Sequence, residues 1–166
     1  MTAKHPSRKN IRLENYDYST AGYYFITICT KDKAETLSNI VVGANCVRPK
    51  LSEVGKVIEY EMQKLTNIYE RVCVDKYVIM PNHVHLIIII SDDINSGRTQ
   101  FAPTLPRIIK QFKGSITKQL GRKIWQSSFY DRIIRNEKEY LQICKYIENN
   151  PIKWTEDEYY VDIEKM

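Results

Sequence analysis

The stretch at residues 72–90, VCVDKYVIMPNHVHLIIII, limits the possible folds more than any other part of the chain. Two β-branched and aromatic runs lie on either side of Pro81-Asn82. Proline cannot donate to a strand ladder, and a Pro-Asn pair favours a turn. The stretch therefore reads as two strands, 72–80 and 83–90, that are antiparallel neighbours. Its uninterrupted apolar run, Leu86 to Ile90, is far below the roughly 20 residues a membrane-crossing helix needs.

The remaining pattern falls around that pair. Residues 1–22 read as a basic, partly extended arm with Lys4, Arg8, Lys9 and Arg12 and the tyrosines Tyr16 and Tyr18. YYFITICT at 23–30 is a first strand. Residues 31–50, with Gly43, Asn45 and Pro49 near Ile40, form a loop or small hairpin. Over 51–68, Val54, Val57, Ile58, Met62, Leu65 and Ile68 recur at helical spacing, with Ser52 or its predecessor as cap. A polar loop spans 91–104. Leu105, Ile108, Ile109, Phe112, Ile116 and Leu120 mark a helix over 105–120. Residues 124–134 read as extended, and a helix over 137–149 is stopped by Pro151. Strand, helix, strand, strand, helix, strand, helix is the split βαββαβ order. The expected fold is α+β and ferredoxin-like: an antiparallel sheet with helices packed mainly on one face and an additional C-terminal helix.

At 166 residues the chain is one domain long and can bury a core without disulfides or metal staples. Its 43% hydrophobic and 27% charged residues exclude a wholly disordered chain. The opening MTAKHPSRKN has no apolar stretch behind its charges, so a cytoplasmic protein without a secretory signal is expected. Cys29, Cys46, Cys73 and Cys144 match no zinc-site spacing and read as reduced, mostly buried thiols. Charge is uneven. From Thr155 to Met166 five acids face one lysine, a net of −4, so the rest carries +9 of the chain's +5. Residues 105–123 hold Arg107, Lys110, Lys113, Lys118, Arg122 and Lys123 with no acid. Such a stripe suits a polyanion, and a solvated helix face would carry the same charges.

Reactive side chains concentrate in two places. Of the histidines His5, His83 and His85, the last two flank Val84 in a strand, so their imidazoles share one face. Two adjacent imidazoles form a bidentate metal site, or are simply core or surface histidines. The third histidine of an HxHxH hydrolase is missing, because Ile87 holds that position. The second place is KYIENNP at 145–151, where Tyr146 and Asn150 lie four apart on one side of a helix, flanking the stripe of Tyr140, Cys144 and Ile147. This sets a phenol beside an amide oxygen, or is a half-buried tyrosine before a helix-ending Asn-Pro.

Taken together, YVIMPNHVHLI at 77–87 resembles the His-hydrophobe-His strand of the HUH single-strand nucleases. It is more similar still to the single-tyrosine (IS200-like) transposases, in particular the REP-associated tyrosine transposases. The resemblance continues through IKQFK at 109–113, IWQSSFYDRIIRN at 124–136 and YIENNP at 146–151. It covers most of the chain from about Tyr23 to Trp154 and implies an HUH transposase domain at 23–154, while residues 31–50 fall outside the matched pattern; charge and composition add a basic arm at 1–22 and an acidic tail at 155–166. It further implies that His83 and His85 ligate Mg²⁺ or Mn²⁺. Asn150 would be a third ligand through its side-chain oxygen, and Tyr146 the nucleophile on the C-terminal helix. These ligands are all neutral, which leaves the cation most of its charge. The implied reaction is cleavage of single-stranded DNA through a 5′-phosphotyrosine link with a free 3′-hydroxyl, followed by strand transfer without ATP.

The partner so implied is single-stranded or hairpin DNA, such as a palindromic repeat between genes, met at the nucleoid by a monomer or homodimer. Arg107, Lys110, Lys113 and Lys118, with the N-terminal arm, would meet its backbone. Among 12 tyrosines, helical register and resemblance select Tyr146. Tyr130 reads as packed and Tyr140 as buried, and Tyr159 and Tyr160 lie among acids. Two rival readings stand beside this one: a domesticated, non-catalytic hairpin-DNA binder, and a metal phosphoesterase acting on nucleotides.

Overall fold

The structure is a computed structural model and describes residues 16–43, 47–92 and 103–160. The chain runs through β1 (Gly22–Cys29), β2 (Ser38–Val42), β3 (Val47–Leu51), α1 (Glu53–Ile68), β4 (Val72–Ile79) and β5 (His83–Ile90). It continues through α2 (Leu105–Leu120), β6 (Tyr130–Ile134) and α3 (Glu137–Asn149). Strands β4, β5, β1 and β6 form one sheet in that spatial order, every pair antiparallel. This is the expected split pattern. The 31–50 region forms a two-stranded antiparallel unit, because among the described residues β2 and β3 pair only with each other. In the 124–134 segment Trp125 makes a single antiparallel bridge to Thr30, and regular strand begins only at Tyr130.

Alternation in the two central strands divides the core. Tyr24, Ile26 and Ile28 of β1 and Val84, Leu86, Ile88 and Ile90 of β5 join one cluster. That cluster includes Ile58, Met62 and Leu65 of α1, and Ile108, Ile109, Phe112 and Ile116 of α2. Residues of the opposite parity, Phe25, Ile87 and Ile89, belong to a smaller cluster with Ile143, Cys144 and Ile147 of α3 and with Trp154. Two helices therefore cover one face and α3 covers the other. Each fully buried aliphatic side chain stabilises this arrangement by about 1.5–3 kcal/mol.

Local chemistry fixes the helix ends. The Ser52 hydroxyl accepts from the Gly55 N–H at 3.1 Å. Gly55 is required by close approach: a Cβ there would lie 2.2 Å from the Leu37 carbonyl oxygen. Gly121 ends α2 at φ +64, a left-handed position suited to glycine. Asn136 accepts from the Glu139 N–H while the Glu139 carboxylate accepts from the Arg135 N–H, a reciprocal cap that starts α3. Between α1 and α2 the buried carboxylate of Glu61 accepts from Lys64, Ser115 and Gln119. A bulge at Asp75-Lys76 turns β4 toward α3: the Tyr140 hydroxyl donates to Asp75 at 2.6 Å, and Lys76 meets Glu148 at 3.2 Å.

The expected arm and tail are only partly covered. Tyr18 is buried and Tyr16 shares a hydrogen bond with Tyr24, while His5 and the arm's basic residues fall outside the described residues. The acidic tail does not stay clear of the domain. Trp154–Glu156 forms a 3₁₀ turn, and residues 157–160 follow it back to the start of β5. Among the described residues no helix is long and apolar enough to cross a membrane.

Candidate active site

The site is built on β5. His83 and His85 are fully buried on the α3 face, with ring centroids 4.5 Å apart. Asn82, in the turn the Pro-Asn pair makes, donates its amide N–H to the Tyr159 carbonyl at 2.8 Å. Its side-chain oxygen therefore points at His83 Nδ1, 2.9 Å away. An amide oxygen only accepts, so Nδ1 carries the proton and Nε2 is left with its lone pair. His85 Nδ1 lies 2.9 Å from the Thr27 hydroxyl, on the neighbouring strand, and its Nε2 faces the Tyr146 hydroxyl at 3.3 Å. Both rings are neutral at neutral pH. Burial pushes His83 down to about 4, with the Asp157 charge and Asn150 opposing it. Burial, followed by the neighbouring His83, holds His85 well below the ordinary value.

The polypeptide after α3 closes the site. Asp157 brings a carboxylate oxygen within 4.8 Å of the ligand nitrogens of His83 and His85, a group able to hold a metal ion. Asn150, at the end of α3, donates its amide N–H to Asp157 at 2.6 Å. This leaves the Asn150 side-chain oxygen buried without a hydrogen-bond partner, and His83 Nε2 is in the same condition. A buried polar atom left this way costs about 1–3 kcal/mol. Two such atoms, both lone-pair donors, in one cluster with a carboxylate and a second imidazole fit a divalent cation.

Tyr146 is half-exposed, with its ring edge on His85 and on Phe25. Burial pushes its hydroxyl up to about 12, the charges of Asp157 and Glu158 add to this, and Asn150 opposes it. A cleft lined by Tyr146 and Asn150, by Lys145 and Lys153, and by the acids Glu156, Asp157 and Glu158 opens along α3.

Four of the residues singled out by sequence thus converge: His83, His85, Tyr146 and Asn150. Arg107, Lys110 and Lys118 do not join them. They are exposed on α2, across the sheet from the histidines. Lys113 is occupied otherwise, donating to the carbonyls of Gln126 at 2.6 Å and Ser128 at 3.1 Å. Asp157 was not anticipated, and it changes the expected neutral ligand set to one with a negative charge. Tyr159 is another addition, its ring 4.6 Å from that of His83 despite its acidic neighbours. Tyr130 is 47% exposed rather than packed, in a cross-strand row with Thr27 and His85.

No protein-family model matches the chain. An uncharacterized Haemophilus influenzae protein is 35% identical over 173 residues, covering 93% of this chain and 94% of its own. A second Haemophilus influenzae protein, assigned by name to the REP-associated tyrosine transposases, is 26% identical over 150 residues, 85% of this chain and 77% of that one. A REP-associated tyrosine transposase of Escherichia coli is 35% identical over 81 residues, 48% of this chain and 44% of that protein. The solved structure of a REP-associated tyrosine transposase bound to a REP hairpin shares the fold. Its TM-score is 0.62 at 21% identity, over 86% of this chain and 73% of that one. These relatives, with the ordered motifs from 77–87 to 146–151, show that the chain belongs to the REP-associated tyrosine transposases of the IS200-like superfamily.

Proposed function

We propose that the protein cleaves and rejoins single-stranded DNA beside hairpin repeats through a covalent bond between Tyr146 and a 5′-phosphate. The observation that carries this is the 3.3 Å approach of the Tyr146 hydroxyl to His85 Nε2, next to two buried ligand atoms without partners. His83, His85, Asp157 and Asn150 would hold Mg²⁺ or Mn²⁺, both suited to mixed nitrogen and oxygen donors. The bound cation supplies positive charge against a non-bridging phosphate oxygen.

The chain's own groups do the rest. Asn82 keeps the Nδ1 proton of His83 in place and so presents its Nε2 lone pair inward, and Thr27 anchors the His85 ring through Nδ1. Asn150 ties Asp157 to the end of α3, four residues from the nucleophile. Lys145 and Lys153 draw the phosphate into the cleft. The phenol oxygen attacks phosphorus, the bond from phosphorus to the 3′-oxygen breaks, and the phenol proton leaves to solvent on the exposed side. The 3′-oxygen takes up a proton from solvent as it departs, leaving a hydroxyl that can reverse the step. The high pKa of Tyr146 follows from burial and two carboxylates, and positive charge at the neighbouring ligand set offsets it.

One chain carries the phenol and all four ligand groups, so a monomer suffices. Arg107, Lys110 and Lys118 serve as distant backbone contacts. In this reading the basic arm is 1–22, the catalytic domain is 23–154 with residues 155–160 added to its site, and the protein works at chromosomal repeats in the cytoplasm.

The test is incubation with labelled hairpin DNA bearing a single-stranded flank, in Mn²⁺. The wild-type protein forms a 5′-phosphotyrosine adduct, and Tyr146→Phe and His83→Ala form none while still binding the hairpin. An adduct persisting in Tyr146→Phe overturns the choice of nucleophile. Hairpin binding by the wild-type protein without adduct in any metal leaves the non-catalytic binder as the better reading.

A further inference from the structure

A groove of about 600 Å³ lies on the α2 side of the protein, between α2 and the segment after it. This is within the range of ordinary ligand sites. We infer that it binds the phosphodiester backbone of the unpaired DNA strand flanking the hairpin, through Lys31, Lys113 and Lys123. The inference rests on the DNA reading above and adds a second contact surface to it.

Three features point this way. The groove is lined by three ammonium groups and no carboxylate. The nearby Asp32 meets Lys31 only at 4.0 Å, with both side chains largely exposed, a pairing of little strength in water. Lys113 spends two of its three N–H donors on the Gln126 and Ser128 carbonyls. Its charge is thus fixed in the wall with one donor left for a ligand oxygen.

The second feature is Gly114, which also lines the groove. It sits in the middle of α2 with nothing within 4 Å of where a Cβ would be. Glycine is a poor helix former, and no close packing requires it here. Its effect is to leave the groove open. The third feature is Trp125. It is buried beside Phe112, and its indole N–H has no hydrogen-bond partner. The indole is too buried to stack on a base, so the groove's chemistry is that of a phosphate backbone rather than of base recognition.

Position connects the groove to the catalytic side. Lys31 N–H donates to the Ile124 carbonyl, and Gln126 N–H to that of Cys29. Cys29 is the cross-strand partner of His83. The groove and the ligand set therefore lie at the same end of β1, on its two sides. A strand leaving the cleft around that end meets the lysines next.

The experiment is fluorescence anisotropy in EDTA with two probes, a labelled hairpin alone and the same hairpin with a single-stranded flank. The proteins are wild type, the double variant Lys31→Ala/Lys123→Ala, and Gly114→Leu, each checked by thermal melt. The double variant should weaken binding of the flanked probe alone. Its slope of log affinity against log salt should be shallower by about 1.4, since each single-strand phosphate contact contributes about 0.7. Gly114→Leu should weaken the same probe by bulk. Equal losses for both probes, or no loss for either, overturn the groove while the DNA reading stands. If the wild-type protein binds neither probe, the DNA reading fails and the groove with it.

Discussion

Replacing Asn82 with alanine should loosen the ligand set from behind. The Asn82 side chain accepts from His83 Nδ1–H and donates to the Tyr159 carbonyl, and it is 1% exposed. The backbone oxygen of the same residue, which accepts from the N–H and hydroxyl of Thr30, is untouched by the change. Alanine thus strands one buried donor and one partly buried acceptor. At about 1–3 kcal/mol each, less for the acceptor that water can reach, the loss is about 2–4 kcal/mol. For a chain of this size that lowers the melting temperature by about 4–16 °C. The His83 ring also loses the group that fixes its tautomer, and loss of such a partner weakens metal binding about 10- to 100-fold. The assay is Mn²⁺ titration by calorimetry in a Tyr146→Phe background, with melts in parallel. Asn82→Asp keeps an acceptor for His83 and should retain most of the affinity while losing the Tyr159 bond. If Asn82→Ala melts lower but binds Mn²⁺ as tightly as its parent, Asn82 is only a structural residue and the orientation argument is wrong.

Two further predictions concern the frame that holds the site. Burial alone would raise the Glu61 carboxyl, but hydrogen bonds from Lys64, Ser115 and Gln119 and the Lys64 charge outweigh it and hold it below its ordinary 4.5. Its contribution to stability is complete above that value and is lost as pH falls through the lower folded value. The melting-temperature gap between wild type and Glu61→Gln should therefore be widest near neutrality and shrink below about pH 4; a gap independent of pH would contradict the assignment. Gly55→Ala should destabilise despite the better helix propensity of alanine. The new Cβ would meet the Leu37 carbonyl at 2.2 Å, and that oxygen is pinned by the Ser52 N–H and hydroxyl. A loss of about 3 kcal/mol, or about 6–12 °C in a thermal melt, is expected, and an unchanged melt would show that the 37–52 contact yields.

Periodicity made most of the fold legible. Ile26, Ile28, Leu86 and Ile88 alternate as strands must, and Ile58, Met62, Leu65, Ile108 and Phe112 recur as helices must. These patterns are local consequences of backbone geometry. Strand alternation put His83 and His85 on one face and a four-residue spacing put Tyr146 and Asn150 on one side, but it was the resemblance that singled the four out as a site. Asp157 was not legible, since nothing in an acid-rich stretch distinguishes the one carboxylate that folds back from those that stay in solvent. Lys113 looks like any other member of a basic stripe. Its neighbours, the Gln126 and Ser128 carbonyls, come from a segment whose irregular path no periodicity encodes. Tyr130 is exposed because aromatic character signals packing only where a facing layer covers it, and β6 is an edge strand, beyond the cover that buries Thr27 and His85 in the same row.

The sheet order gives the two halves of the site unequal mechanical footing. His83 and His85 stand on β5, between β4 and β1, where amide exchange demands something close to global unfolding. Tyr146 stands on a helix fastened at its flank by an exposed Lys76–Glu148 pair and the Tyr140–Asp75 bond, above the smaller of the two cores. Deuterium should therefore enter α3 long before β5. The ligand nitrogens behave as an anvil, and the phenol as the part of the tool that is free to lift.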